Sequence, residues 1–121
     1  MCQCFLAGDD RVNEHPGLTM IHTILAREHN RVAAKLREIN SEWSEERVFQ
    51  ESRRIVGALI QHITFAEFLP RVLGPEVMME NSLDLLQSGY FTGYRQDCDH
   101  VMLNEFSGAA FRSRQICQTV T

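Results

Sequence analysis

Apolar residues recur at three- and four-residue intervals from about Thr19 to Ile39, while charged residues fall largely at the other positions. This spacing is that of one face of an α-helix. Thr19 is a suitable N-cap residue, and Asn40 opens a loop after the helix. The pattern therefore predicts a first helix over residues 19–39, with apolar positions at Ile21, Ile24, Leu25, Val32, Leu36 and Ile39.

A second helix is predicted from Ser44 to about Phe68. Ser44 can cap it, Glu45 and Glu46 suit its positive end, and Pro70 is expected to stop it. A helix of 25 residues would span ~38 Å, which suits a rod inside a larger bundle. Its predicted buried stripe consists of Val48, Phe49, Ser52, Ile55, Val56, Leu59, Ile60 and Ile63.

The remaining segments predict less regular structure. Residues 1–17 and 74–100 contain glycine, proline and polar breakers and read as loops, with one helical turn at Ser82–Leu86. A third helix is predicted to start near Asp99 and to include Met102, Leu103, Phe106, Ala109 and Ala110. Convincing alternation of apolar and polar residues, which would predict strands, is absent from the sequence. The fold class expected is all-α.

Composition narrows the function classes. The net charge of −4 does not indicate a basic surface for binding nucleic acid. No apolar run approaches the ~20 residues of a membrane span. The first residues, MCQCFLAGDD, lack the basic start and the apolar stretch of a signal peptide. The four cysteines, Cys2, Cys4, Cys98 and Cys117, show no zinc spacing and leave the redox compartment open.

Two groups of residues suggest a metal site or a catalytic nucleophile from their residue types alone. His22 and His29 share one face of the first helix, but they lie ~10 Å apart along its axis, too far to chelate one ion without a third ligand. Roles in packing and hydrogen bonding are the simpler interpretation of both histidines, and of His62. A cysteine nucleophile such as Cys98 beside His100 is the other possibility, although nothing in the sequence fixes such a pair.

The segment CFLAGDDRVNEHPGLTMIHT, residues 4–23, resembles the animal haem peroxidase family, the group of myeloperoxidase, thyroid peroxidase and peroxidasin. The resemblance continues in the same order through REHNRVAAKL, SRRIVGALIQHITFAEFLPRVLG and LNEFSGAAFR. It implies that residues 1–112 are part of an animal haem peroxidase domain, a mainly helical fold represented here by two long helices and a third C-terminal one. Residues 113–121 would be a divergent tail.

The resemblance also implies roles for three residues. Arg11, in DDRVNE, falls on the family's distal arginine, whose permanent charge would stabilise the oxygen that leaves when peroxide is cleaved. Glu14 falls on the glutamate that forms an ester with a haem methyl group. His15 stands where some members carry a methionine bonded to a haem vinyl group, so that third link is expected to be missing, although His15 would still line the haem edge.

Other expected features of the family have no match in the sequence. The distal histidine and the calcium-binding loop precede the distal arginine in the family, and no such segment precedes Arg11 here. Gln115 stands at the position expected for the proximal histidine, and glutamine is a poor axial ligand compared with imidazole. The loss of similarity after Arg112 suggests a junction, such as that of a truncated transcript, rather than a point substitution.

The sequence therefore predicts a fragment of a haem peroxidase that uses hydrogen peroxide to oxidise halide, phenolic or tyrosyl donors, with little turnover by itself. Its cofactor would be haem, covalently attached in the family, and its location would be extracellular or within the secretory lumen. The alternative is a non-enzymatic helical remnant that self-associates through uncovered apolar helix faces. A metal protein based on His22 and His29 is a third, weaker hypothesis.

Overall fold

The computed structural model describes residues 5–99 and 101–110, and its helices confirm the all-α expectation. A 3₁₀ helix, Asp10–Asn13, precedes α1, Pro16–Ile39, and α2, Glu45–Ile63. A π-helical segment, Thr64–Phe68, leads into α3, Leu69–Leu73, followed by α4, Pro75–Glu80, and α5, Asn104–Gly108. No strand occurs in the described ranges.

The start of α1 differs from the prediction. The helix begins at Pro16, and His15 rather than Thr19 is its N-cap, with the ring Nδ1 accepting a hydrogen bond from the Gly17 N–H at 3.0 Å. Proline is favoured at the first helical position because its missing N–H would be unpaired there anyway. The hydroxyl of Thr19 is thereby free for a different contact.

The prediction that Pro70 ends the second helix is also wrong. Ser44 does cap the helix, since its hydroxyl accepts a hydrogen bond from the Arg47 N–H. Pro70, however, does not stop the chain's helical path, because it lies in the first turn of α3. The π segment brings the Leu69 N–H onto the Thr64 carbonyl, a wider turn that accommodates a proline lacking its own N–H.

The chain after Gly74 also departs from the prediction. Helix α4 covers Pro75–Glu80, in a region predicted to be loop, whereas Ser82–Leu86 contains a turn and a bend but no helix. The third predicted helix is reduced to the five residues of α5 and starts at Asn104 instead of near Asp99. Leu103 is the N-cap residue of α5 and has extended backbone angles, so it does not belong to the helix.

The chain separates into two compact units, residues 1–85 and 86–121. In the first unit α1 packs against α2, and three residues of α2 spaced four apart are buried, namely Val48, Ser52 and Val56. The other described core residues are Val12 and Met78. The predicted α2 stripe is thus only partly buried: its remaining members, Phe49, Ile55, Leu59, Ile60 and Ile63, are between 37% and 46% exposed.

Candidate functional site

The 3₁₀ helix presents two side chains of opposite charge. Arg11 lies on this helix and Glu14 is its C-cap residue, and both side chains are exposed. Between them Val12 is buried, with 4% of its surface exposed, and anchors the turn. The carboxylate of Glu14 also raises the pKa of Arg11, after the larger effect of Asp9. The turn therefore brings together two of the three residues singled out from the sequence.

Asp9 holds the guanidinium of Arg11. Its carboxylate accepts hydrogen bonds from Arg11 Nε at 3.0 and 3.1 Å and from Nη2 at 2.6 Å. The same carboxylate accepts the Arg11 backbone N–H at 2.9 Å and so caps the 3₁₀ helix. These side-chain and backbone hydrogen bonds lower the pKa of Asp9 from 3.8 to about 2. Asp9 is therefore ionised at neutral pH.

Asp9 is not among the site residues predicted from the sequence. The signal for it was present, because an aspartate just before a short helical segment is a preferred N-cap residue. What the sequence did not show is that one carboxylate both caps the turn and pairs with the arginine. The pairing occupies Nε and Nη2, whereas Nη1 makes no hydrogen bond to any described residue. Arg11 thus keeps donors for a ligand while its orientation is fixed.

His15, the third predicted site residue, lies directly after Glu14 and is exposed. Its Nδ1 is committed to the Gly17 N–H, so in the neutral ring the proton must be on Nε2. A methyl group at Gly17 would approach the His15 ring to 3.1 Å, which shows how closely the ring lies against the helix start. His15 is therefore held by its capping contact rather than free to reach outward.

Histidine and cysteine side chains elsewhere in the chain form no assembled metal or reactive site in its described part. No cluster of three or more histidine, cysteine, aspartate or glutamate side chains occurs in the described part of the chain. His29 packs against Phe49 with ring centroids 5.2 Å apart, and its Nε2 is buried without a described hydrogen-bond partner. The thiol of Cys98 is free and exposed, whereas Cys2, Cys4, His100, Cys117 and Gln115 lie outside the described residues.

The REHNR segment of α1 contributes an ion pair and a packing contact. Glu28 accepts two hydrogen bonds from Arg31, at 2.7 and 2.8 Å, along the surface of α1. His29 lines a cavity of about 420 Å³ together with residues of α2, namely Arg53, Arg54, Val56, Gly57 and Ile60. The segment therefore helps to join α1 and α2 rather than to build the site near Arg11.

Comparison with known proteins identifies the family of this arrangement. A family profile described as animal haem peroxidase matches residues 1–120. The chain is 47% identical to human thyroid peroxidase over 109 residues, which are 90% of this chain and 11% of that protein. It is 49% identical to the chorion peroxidase of Drosophila melanogaster over 109 residues, which are 90% of this chain and 14% of the relative.

A peroxidasin homologue of Caenorhabditis elegans is 46% identical over 110 residues, which are 91% of this chain and 8% of that protein. The chain thus spans between 7% and 14% of the length of these curated relatives. No helix in its described part is both long and apolar enough to cross a membrane. By the match over nearly its whole length, the chain belongs to the animal haem peroxidase family.

Proposed function

We propose that this chain is the part of a haem peroxidase that supplies the distal arginine and a haem-attachment carboxylate. The whole enzyme would reduce hydrogen peroxide and oxidise a small donor, either a halide, a phenol or a tyrosyl group. The observation that carries the proposal is the pair of exposed side chains, Arg11 and Glu14, on one anchored turn. Family membership supports haem as the cofactor.

The residues present fit such a cofactor. The exposed carboxylate of Glu14 is available to the edge of a porphyrin, and Arg11 retains N–H donors that Asp9 does not use. Bound haem would supply the iron centre at which peroxide is reduced. Arg11 would stabilise the negative charge that develops on the departing oxygen, since its own charge is permanent and its guanidinium plane is already oriented.

Glu14 and His15 would contact the haem periphery. Glu14 would hold the haem through an ester between its carboxylate and a haem methyl group. His15 has no thioether and so forms no sulfonium link, and its Nδ1 already caps α1. We therefore expect at most one covalent bond from this segment to haem, through Glu14.

Three further parts of the proposal concern the whole enzyme. The calcium ion implied by the family would be bound outside this chain, and the enzyme would work in the extracellular space or the secretory lumen. Residues 1–112 would form part of the peroxidase domain and residues 113–121 a divergent tail. Sequencing the transcript across Arg112 tests the last point, because a continuation into Gly-His would restore the proximal histidine and show that the tail comes from a junction.

Peptide mapping tests the attachment role directly. The chain is incubated with haem and hydrogen peroxide, digested with trypsin, and examined by mass spectrometry. We expect haem on the peptide of residues 12–27, which contains Glu14, and its loss from that peptide in Glu14→Gln. Glu67→Gln, a change at an exposed glutamate of the π segment, is the matched control and should leave the adduct in place. Haem on other peptides would contradict the assignment.

A second candidate function is a helical interaction module without catalysis. The observation that favours it is the partly uncovered apolar face of α2, where Ile55, Leu59 and Ile63 follow one another at four-residue intervals and are each at least 37% exposed. Such a face is typical of a surface that another protein segment covers. Gel filtration tests this second candidate, because a compact monomer at every concentration would rule out an interaction module.

A further inference from the structure

The turn that carries Arg11 and Glu14 has two anchored residues, Val12 and Asn13, between these two exposed side chains. Arg11 and Glu14 are exposed, whereas Val12 is 4% exposed and the Asn13 side chain is engaged with the backbone of Phe5. A four-residue 3₁₀ helix has few internal hydrogen bonds and does not hold its shape unaided. The contacts made by the anchored residues must therefore fix the direction of the two charged side chains.

Thr19 provides the shortest of these hydrogen bonds. Its hydroxyl donates a hydrogen bond to the Val12 carbonyl at 2.6 Å, across seven residues, in a partly buried position. The same hydroxyl lies 3.4 Å from the His15 carbonyl, the ordinary contact of a threonine within a helix. Thr19 thus connects the first turn of α1 to the middle of the 3₁₀ helix.

Asn13 fixes the other side of the turn. Its Nδ2 donates to the Phe5 carbonyl at 2.8 Å, and its Oδ1 accepts from the Phe5 N–H at 3.0 Å. An amide side chain that satisfies both backbone groups of one residue imitates the pairing of two strands. The chain before Asp9 is therefore tied to the residue that precedes Glu14.

We propose that Thr19 and Asn13 are positioning residues for haem binding, acting through the 3₁₀ helix on Arg11 and Glu14. The inference rests on the proposed function of those two side chains. Neither Thr19 nor Asn13 has to touch the cofactor. Their hydrogen bonds keep the two charged groups on one side of the turn. Less conformational entropy is therefore lost when a ligand binds.

Substitutions that are matched in shape test this inference. Thr19→Val removes the hydroxyl and keeps the branched shape, and Thr23→Val does the same one turn later, where the hydroxyl bonds only to the Thr19 carbonyl within α1. Asn13→Asp removes the Nδ2 donor, and Asn81→Asp removes a comparable donor to the Val77 carbonyl. Haem affinity is measured by titration at the Soret band, and amide hydrogen exchange is measured for residues 11–14.

We expect Thr19→Val and Asn13→Asp each to weaken haem binding by about fivefold, the usual effect of losing one hydrogen bond. They should also speed exchange in residues 11–14, with unchanged circular dichroism. Thr19→Ser, which restores the hydroxyl, should recover affinity, and both control variants should resemble the wild type. Equal losses in Thr19→Val and Thr23→Val, or no loss in either, would overturn the positioning role while leaving the proposed function intact. A wild-type chain without saturable haem binding would instead remove the proposed function itself.

Discussion

The contact between Asp9 and Arg11 shows how a short exposed turn can hold an arginine side chain in one orientation. Ion pairs at the surface usually contribute little, because both side chains remain mobile and solvent screens them. Here the pair is bidentate, and the same carboxylate caps the helix on which Arg11 lies. A charge that is fixed before the reaction begins is better placed to stabilise a developing oxyanion than one that must reorient.

The pKa of Asp9 provides a prediction at this scale. Its folded value of about 2 lies below the usual 3.8, so the pair stabilises the fold fully above pH 3.8 and loses this effect as the pH falls towards 2. In Arg11→Gln the carboxyl should titrate at a higher pH, but still below 3.8, because the backbone N–H of residue 11 continues to donate. Carboxyl ¹³C shifts recorded during an acid titration measure this.

Arg95 and Asp97 provide the matched control for that titration. They form a similar exposed pair, with Arg95 Nη2 lying 3.0 Å from the Asp97 carboxylate, and the pKa of Asp97 is lowered mainly by this hydrogen bond. Arg95→Gln should raise the pKa of Asp97 and leave that of Asp9 unchanged. If Arg11→Gln did not move the Asp9 midpoint, the assigned pairing would be wrong.

Motif resemblance selected Arg11, Glu14 and His15 from the sequence, and the structure shows what that reasoning missed. Thr19 had all the properties of an N-cap residue, yet His15 caps α1 and the Thr19 hydroxyl reaches back to Val12. Local capping rules treat each residue with its nearest neighbours. They do not decide between two possible caps when a contact seven residues away favours one of them.

At the scale of elements, the packing of α1 against α2 depends on one small buried residue. Ser52 has no exposed surface, and its hydroxyl donates to the Val48 carbonyl of its own helix at 2.7 Å. Because that hydrogen bond stays within α2, the hydroxyl contributes little to contact between helices. The small size of the side chain matters more, since it lies between Val48 and Val56 on the face that packs.

Substitutions at Ser52 distinguish the effect of side-chain size on stability from the effect of the hydroxyl group. Ser52→Ala should change the free energy of unfolding by less than ~1 kcal/mol, whereas Ser52→Leu should destabilise by about 1–3 kcal/mol through overpacking. Arg53→Leu places the same side chain at the adjacent exposed position and should change it by less than ~0.5 kcal/mol. Urea denaturation measures all three. Equal effects of leucine at both positions would show that residue 52 is not in a packed interface.

The helical periods of α1 and α2 could be predicted because apolar spacing is a local signal along a long segment. The path around Pro70 could not, because a single wider turn satisfies the proline without ending the helical path. Helix α4 was likewise not predicted, because the Gly74–Pro75 pair suggested a loop. Pro75 instead occupies the start of the helix, where proline is favoured, and Met78 is buried there with 1% exposure.

For the whole molecule, the main feature is how much apolar surface remains uncovered. Phe49, Ile55 and Ile60 of α2 are each between 44% and 46% exposed, although their spacing predicted burial. The periodic pattern correctly predicts an apolar face on α2. What covers that face is not encoded in the pattern, and the chain represents only a small part of the length of its relatives.

This exposure predicts self-association. The apparent mass in gel filtration should rise with protein concentration, because pairing of the α2 faces removes apolar surface from water. Leu59→Lys should reduce the concentration dependence, whereas Gln61→Lys adds the same charge at another exposed position of α2 and should not. A compact monomer for the wild type over the whole concentration range would contradict the prediction.

The claim that haem binds at the Arg11–Glu14 turn is tested most directly by following backbone amide NMR signals during a haem titration. Ferric haem is paramagnetic and broadens signals of nearby nuclei, so the first signals to disappear report where it binds. We predict early broadening centred on residues 11–15, with saturation at one haem per chain and a weaker effect in Glu14→Gln. Broadening centred on the exposed face of α2, or spread evenly along the chain, would contradict the account.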